Sequence, residues 1–194
     1  MKINEGRSWD CLKGLFKSLL LCGILGVLAE IAAGIALAFI LSYVPETALG
    51  YKEHVSSQLQ EGVKSVIYVV ILSPIIEEFI FRFFILGVFN RVLGFMIANI
   101  IQAVMFGLYH LNLIQGIYAF LLGLLIGLLK KYTGTVWGCV CFHAMFNLTG
   151  LLINLYPVND AGIFVRIIVE IVVSAAGVGI ILLLRRKQYE LHIT

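Results

Sequence analysis

Charged residues are scarce in this chain, at 13% of its 194 residues, against about 25% in a soluble globular protein. A water-soluble fold of this length would leave too much of the 61% hydrophobic content uncovered, which excludes that class. The mean hydropathy of +1.02 and apolar runs of about 20 residues instead match a bilayer core of about 30 Å at 1.5 Å rise per residue. No basic stripe is present. The net charge is +3, but Lys and Arg are split among loops and termini, so nucleic acid is excluded as a partner. The four cysteines, Cys11, Cys22, Cys139 and Cys141, have no paired CxxC spacing and read as apolar fillers, Cys11 being placed near the start of a span where acylation is conceivable. No repeat, low-complexity tract or linker divides the chain, so residues 1–194 read as one transmembrane domain.

What is present is a succession of apolar runs. Breakers and run lengths predict an all-α polytopic bundle of about six transmembrane helices, near residues 14–43, 64–90, 94–114, 116–130, 135–155 and 163–184. The basic N-terminus followed by an apolar run resembles a secretory signal, but the stretch from Leu19 to Val44 is too long for a cleaved one and reads as an anchor. The polar segment ETALGYKEHVSSQLQEG is a loop or a short interfacial helix. His54 within it and His192 in the tail read as solvated. With the N-terminus cytoplasmic, Lys2, Arg7, Lys13, Lys17, Arg91, Lys130, Lys131, Arg185, Arg186 and Lys187 fall on one side, as the positive-inside rule requires. An integral protein of a bacterial plasma membrane with both termini cytoplasmic is the expectation.

An ionisable side chain near mid-bilayer costs about 2.5 to 3.5 kcal/mol on insertion scales, so each one needs a partner, a wet cavity or a function. Glu78 and Arg82 are four residues apart with the acid first, the favoured order for a helical ion pair, and read as structural support. Glu77 is turned about 100° from Glu78 and is the leftover carboxylate. Pro74 removes a backbone donor and can loosen the helix where Glu77 enters. Arg166 and Glu170 share the same spacing and read as a structural pair. Glu30 has no basic residue three or four positions away in the first span; a structural glutamate is its blander role and contact with a cavity the other. His110 has Phe106 one turn back on its own face, where the ring can pack beside the imidazole. His143 and Asn147 are likewise four apart on one face, which must look into the bundle or onto water because an amide cannot be satisfied in hydrocarbon. Upright helices with the boundaries above put His110 about 14 Å nearer the non-cytoplasmic end than Glu77 at 1.5 Å per residue, a gap that tilt or a shifted boundary would have to close.

If three spans bring Glu77, His110 and the His143/Asn147 face together, they surround a polar cavity with a hydrolytic toolkit. Glu77 can take a proton from water as a general base, and His110 can position the same water. Donors from His143 and Asn147 can stabilise the oxyanion formed by attack on a peptide carbonyl. In order along successive spans, EEFIFR fits EExxxR, FGLYH fits FxxxH and HAMFN fits HxxxN. On these motifs the chain resembles the CPBP intramembrane proteases, which include type II CAAX prenyl endopeptidases and bacterial relatives linked to peptide processing and bacteriocin immunity. The resemblance covers about residues 64–155. It implies catalytic roles for Glu77, His110, His143 and Asn147, with Glu78, Arg82 and Phe106 supporting. A membrane-associated peptide, prenylated or not, is the implied substrate, and membrane lipid the other partner. No cofactor is expected. A His/His/Glu set of Glu77, His110 and His143 could bind zinc, but HExxH is absent and the other groups suffice. The competing readings are a non-proteolytic membrane scaffold or bacteriocin-immunity protein that binds a partner through its spans and, more remotely, a transporter.

Overall fold

The computed structural model describes residues 5–44, 53 and 62–155. The expected span at 163–184, Arg166, Glu170, His54, His192 and the basic cluster at 185–187 lie outside the described residues, as does the side chain of Cys11. The described chain is helical, with no strand among the described residues. Helix α1 is Glu5–Ser42. Next come α2 (Val63–Ile67), a π-helical stretch π1 (Tyr68–Leu72), α3 (Ser73–Glu78), a second such stretch π2 (Phe79–Ile85) and α4 (Leu86–Leu93), joined without a break into one composite helix. Then follow α5 (Phe95–Tyr109), α6 (Leu113–Thr133) and α7 (Val136–Leu155). Among the described residues three stretches are long and apolar enough to cross a bilayer, Lys17–Phe39, Leu113–Thr133 and Val136–Ile153, while Phe95–Tyr109 is a shorter apolar helix. The protein is an integral membrane helix bundle.

Helix ends follow local chemistry. Gly94, at φ 77°, turns the composite helix into α5, a conformation that L side chains adopt at a cost. The helix expected over 94–114 stops at Tyr109, because Leu111 takes a left-handed φ of 52° and the Asn112 side chain accepts from the Gln115 N–H at 3.0 Å to start α6. At the other end of α6, Lys130 and Lys131 lie in the last turn, where cations suit the helix dipole. Lys131 Nζ sits 4.5 Å from the Phe95 ring centroid. The basic last turn of α6 therefore lies at the same end of the bundle as Arg91 and Gly94, as the charge distribution predicts for those residues.

Packing relies on small residues, as expected where lipid tails compete equally for apolar surface. At Gly26 a Cβ would lie 2.0 Å from the Phe142 carbonyl oxygen, so α1 and α7 meet backbone to backbone. Beside that crossing, Cys22, Leu122, Ile126, Cys139, Phe142 and Phe146 form the larger apolar core. Cys22 and Cys139 are buried free thiols within it, consistent with apolar filling. The α5/α6 pair is polar at its centre, a feature the sequence reading passed over. Asn99 Nδ2 donates to the Leu124 carbonyl at 3.1 Å, and Gln102 Nε2 donates to Asn99 Oδ1 and to the Gly123 carbonyl, both at 2.8 Å. A Cβ at Gly127 would fall 1.7 Å from Asn99 Oδ1.

Candidate intramembrane active site

Pro74 organises the entry to the site. In π1 the Ser73 N–H donates to the Tyr68 carbonyl, five residues back. The next donor in that register would come from residue 74 and reach Val69, but proline has no N–H. The vacancy is filled from another helix, for Asn147 Nδ2 donates to the Val69 carbonyl at 2.9 Å. A backbone acceptor that hydrocarbon would penalise is thereby satisfied, and α7 is tied to the composite helix at this height.

One turn further on, Glu77 and Glu78 leave α3 in different directions and meet different partners. Glu77 Oε1 accepts from the Ser73 hydroxyl, four residues earlier. Its Oε2 is buried with no hydrogen-bond partner. Glu78 is fully buried and pairs with Arg82, whose Nη1 is 3.0 Å from Glu78 Oε1, the ion pair that the spacing predicts. The same oxygen also accepts from His143 Nδ1 at 2.8 Å. Arg82 is stacked over Phe106, with its guanidinium carbon 4.2 Å from the ring centroid. Both Arg82 Nε and Nη2 are buried without a partner, so the guanidinium leans on Glu78 and the aromatic face.

Phe106 is the aromatic hub of the site. It is fully buried, and its ring lies edge-to-face against His110 at 4.9 Å and against His143 at 5.8 Å between centroids. The expected contact with His110 is therefore present, and His143 shares it. His110 Nδ1 lies 2.8 Å from the Phe106 carbonyl. A carbonyl only accepts, so that nitrogen carries the hydrogen and Nε2 keeps its lone pair. By the same logic the Glu78 carboxylate holds the hydrogen of His143 on Nδ1. His143 Nε2 then faces Glu77, 3.9 Å from Oε2.

These groups share one cavity of about 560 Å³, whose wall includes Glu77, His110, His143 and Asn147 together with Ser73 and Phe106. The expected 14 Å offset between Glu77 and His110 is thereby corrected. Gly94 separates the two almost symmetrically, by 17 residues on one side and 16 on the other, so an antiparallel pair hinged there brings them to similar depth. The early stop of α5 keeps His110 inside the bundle. Sequence reasoning missed three features of this arrangement, one residue and two contacts. Ser73 was detectable, being one turn before Glu77 on the same face. The link from Glu78 to His143 and the capping of Val69 by Asn147 join residues 65 and 78 positions apart, and no local pattern signals them. Glu30 also reaches the cavity wall.

Residues 60–149, which carry all three motifs, match the family described as type II CAAX prenyl endopeptidase Rce1-like. The match covers just under half of the chain. The chain is also similar to a curated protein of Bacillus subtilis (strain 168) named "Putative membrane peptidase YdiL", 31% identical over 90 residues, or 46% of this chain. The aligned region spans 37% of that relative's length. No solved structure matches the chain. The matched segment includes the composite helix, α5, α6 and most of α7, and thus every residue placed above around the cavity except Glu30 of α1.

Proposed function

We propose that this protein is an intramembrane endopeptidase that hydrolyses a peptide bond of a membrane-associated peptide or protein. The observation that carries the reading is the single cavity bordered by Glu77, His110, His143 and Asn147 within a membrane helix bundle. Glu77 and His110 both border that space, and a water held between the carboxylate and the imidazole Nε2 would have both hydrogens accepted and a lone pair left for attack. Glu77 takes a proton as the water oxygen bonds to the carbonyl carbon, then delivers it to the departing amine as the C–N bond breaks. The developing oxyanion is met by donors from α7. Asn147 has a second amide hydrogen beyond the one used on Val69. His143 has Nδ1–H committed to Glu78, so its Nε2 donates only as an imidazolium, and the mechanism requires that form in the reactive complex. Glu78 and Arg82 orient His143, and Phe106 holds both rings in place.

The proposed chemistry is metal-free. Among the described residues no three His, Cys, Asp or Glu side chains come together as a metal-ligand group, while the Nδ1 contacts of both histidines, to Phe106 and Glu78, leave each Nε2 open to a water or to a metal. Zinc held by Glu77, His110 and His143 is the competing mechanism; cleavage lost to a chelator and restored by zinc would establish it. The substrate enters from the bilayer or the cytoplasmic face of a bacterial plasma membrane, with the N-terminus cytoplasmic. The test is cleavage of membrane-associated peptides by purified protein in proteoliposomes, with Glu77→Gln and His110→Ala as controls. Loss of cutting in folded variants supports the assignment. Cutting at the wild-type rate by Glu77→Gln removes it, and partner protection in cells that survives both substitutions would favour a scaffold or immunity role.

A further inference from the structure

The first span contributes an acidic group to the cavity, outside the segment that matches the family. Between Lys17 and Phe39, Glu30 is the one charged residue of a stretch whose mean hydropathy is 2.3, a position where a carboxylate costs about 2.5 to 3.5 kcal/mol. Its side chain is turned toward α7. A Cβ at Gly150 would lie 2.7 Å from Glu30 Oε1 and 3.2 Å from its carboxyl carbon, so the absence of a side chain at Gly150 makes the space the carboxylate occupies. Glu30 and Gly150 both border the cavity that holds Glu77, His143 and Asn147. Ala33 and Gly34, one turn along α1, border it too and leave room beside the carboxylate.

Position along α7 gives the subsite its register. His143, Asn147 and Gly150 follow one another on the helix, and the rise from His143 to Gly150 is about 10 Å. An extended peptide advances about 3.3 Å per residue. A substrate whose scissile carbonyl lies against His143 and Asn147 therefore brings a side chain about three residues away to the Glu30 carboxylate. Glu30 is the carboxylate that α1 adds to a wall carrying Glu77 as its other acid, and at its own end of the cavity it attracts a cation and repels an anion. We propose that Glu30 is a specificity-determining residue that receives a basic side chain, Lys or Arg, of the peptide substrate about three residues from the bond that is cut. This subsite rests on the endopeptidase reading for its register but not for its charge preference.

The test separates the two. Fluorescein-labelled apolar peptides carrying a single Lys, scanned position by position, with matched Gln and Glu scans, are titrated against Glu77→Gln protein in detergent and in parallel offered to protein with Glu77 intact. A Lys peptide should bind about tenfold or more tighter than its Gln counterpart at one position, as a charge-assisted hydrogen bond implies. Adding Glu30→Gln should bring that ratio near one, and Glu30→Lys should invert the preference toward the Glu peptide, in variants whose thermal melting shows them folded. Loss of the Lys preference on Glu30→Gln without any cleavage by protein with Glu77 intact would keep the subsite and overturn the endopeptidase reading. A Lys preference that survives Glu30→Gln, or no Lys preference at any position, overturns the subsite, and cleavage in that case leaves the endopeptidase reading in place.

Discussion

The bond between Asn147 and Val69 supports a prediction that can be worked through quantitatively. Asn147→Leu removes the Nδ2 donor held 2.9 Å from the Val69 carbonyl. Interhelical hydrogen bonds in membrane proteins contribute about 0.6 kcal/mol on average and about 1.7 at most in double-mutant cycles. The Val69 case lies above that average, because Pro74 denies the carbonyl its helical donor and an unpaired buried acceptor costs about 1 to 3 kcal/mol. We therefore expect Asn147→Leu to destabilise the bundle by about 2 kcal/mol. Pro74→Ala supplies an N–H in the register that reaches Val69, so in that background the cost of Asn147→Leu should fall below about 1 kcal/mol. Reversible unfolding of the four proteins in mixed anionic and nonionic micelles, followed by far-UV circular dichroism, measures the cycle. A coupling energy of about 1 kcal/mol is the expected result. Additivity within about 0.3 to 0.5 kcal/mol would refute the claim that Asn147 stands in for the donor that proline lacks.

Other substitutions probe the rest of the site. Glu77→Gln keeps an acceptor for the Ser73 hydroxyl but cannot take a proton, so peptide cleavage should fall at least about 100-fold with little change in melting. Glu78→Gln leaves Arg82 buried without its counter-ion and should cost about 3 to 5 kcal/mol; Glu78→Gln with Arg82→Met should recover much of that stability without recovering cleavage, because His143 has lost its carboxylate acceptor. Gly127→Ala forces a methyl group into the Asn99 amide, and a loss of about 1 to 3 kcal/mol in the same micelle assay should shrink when Asn99→Ala is added. Gly26→Ala meets the Phe142 backbone instead, so no single side-chain truncation should rescue it.

The all-helical membrane class was readable from composition alone, since 61% hydrophobic content with 13% charge admits few other solutions. Local periodicity was equally informative. Four-residue spacing placed Glu78 with Arg82 and His143 with Asn147 before any coordinates, because a helix brings residues i and i+4 to one face regardless of what surrounds it. Boundaries were less secure. The break at Leu111, which ends α5 early, depends on a left-handed residue that carries no sequence mark of the kind glycine provides.

Contacts between helices are a different matter, because they depend on depth, rotation and partner choice in three dimensions. That His143 binds Glu78, that Asn147 completes the turn broken by Pro74, and that Glu30 nestles beside Gly150 are all consequences of how helices pack. Amino-acid order alone determined which side chains the bilayer would reject and which faces they shared. Assembly of the bundle decided where each rejected group found its partner, since a polar atom in hydrocarbon is satisfied by whatever donor or acceptor the neighbouring helix brings within reach.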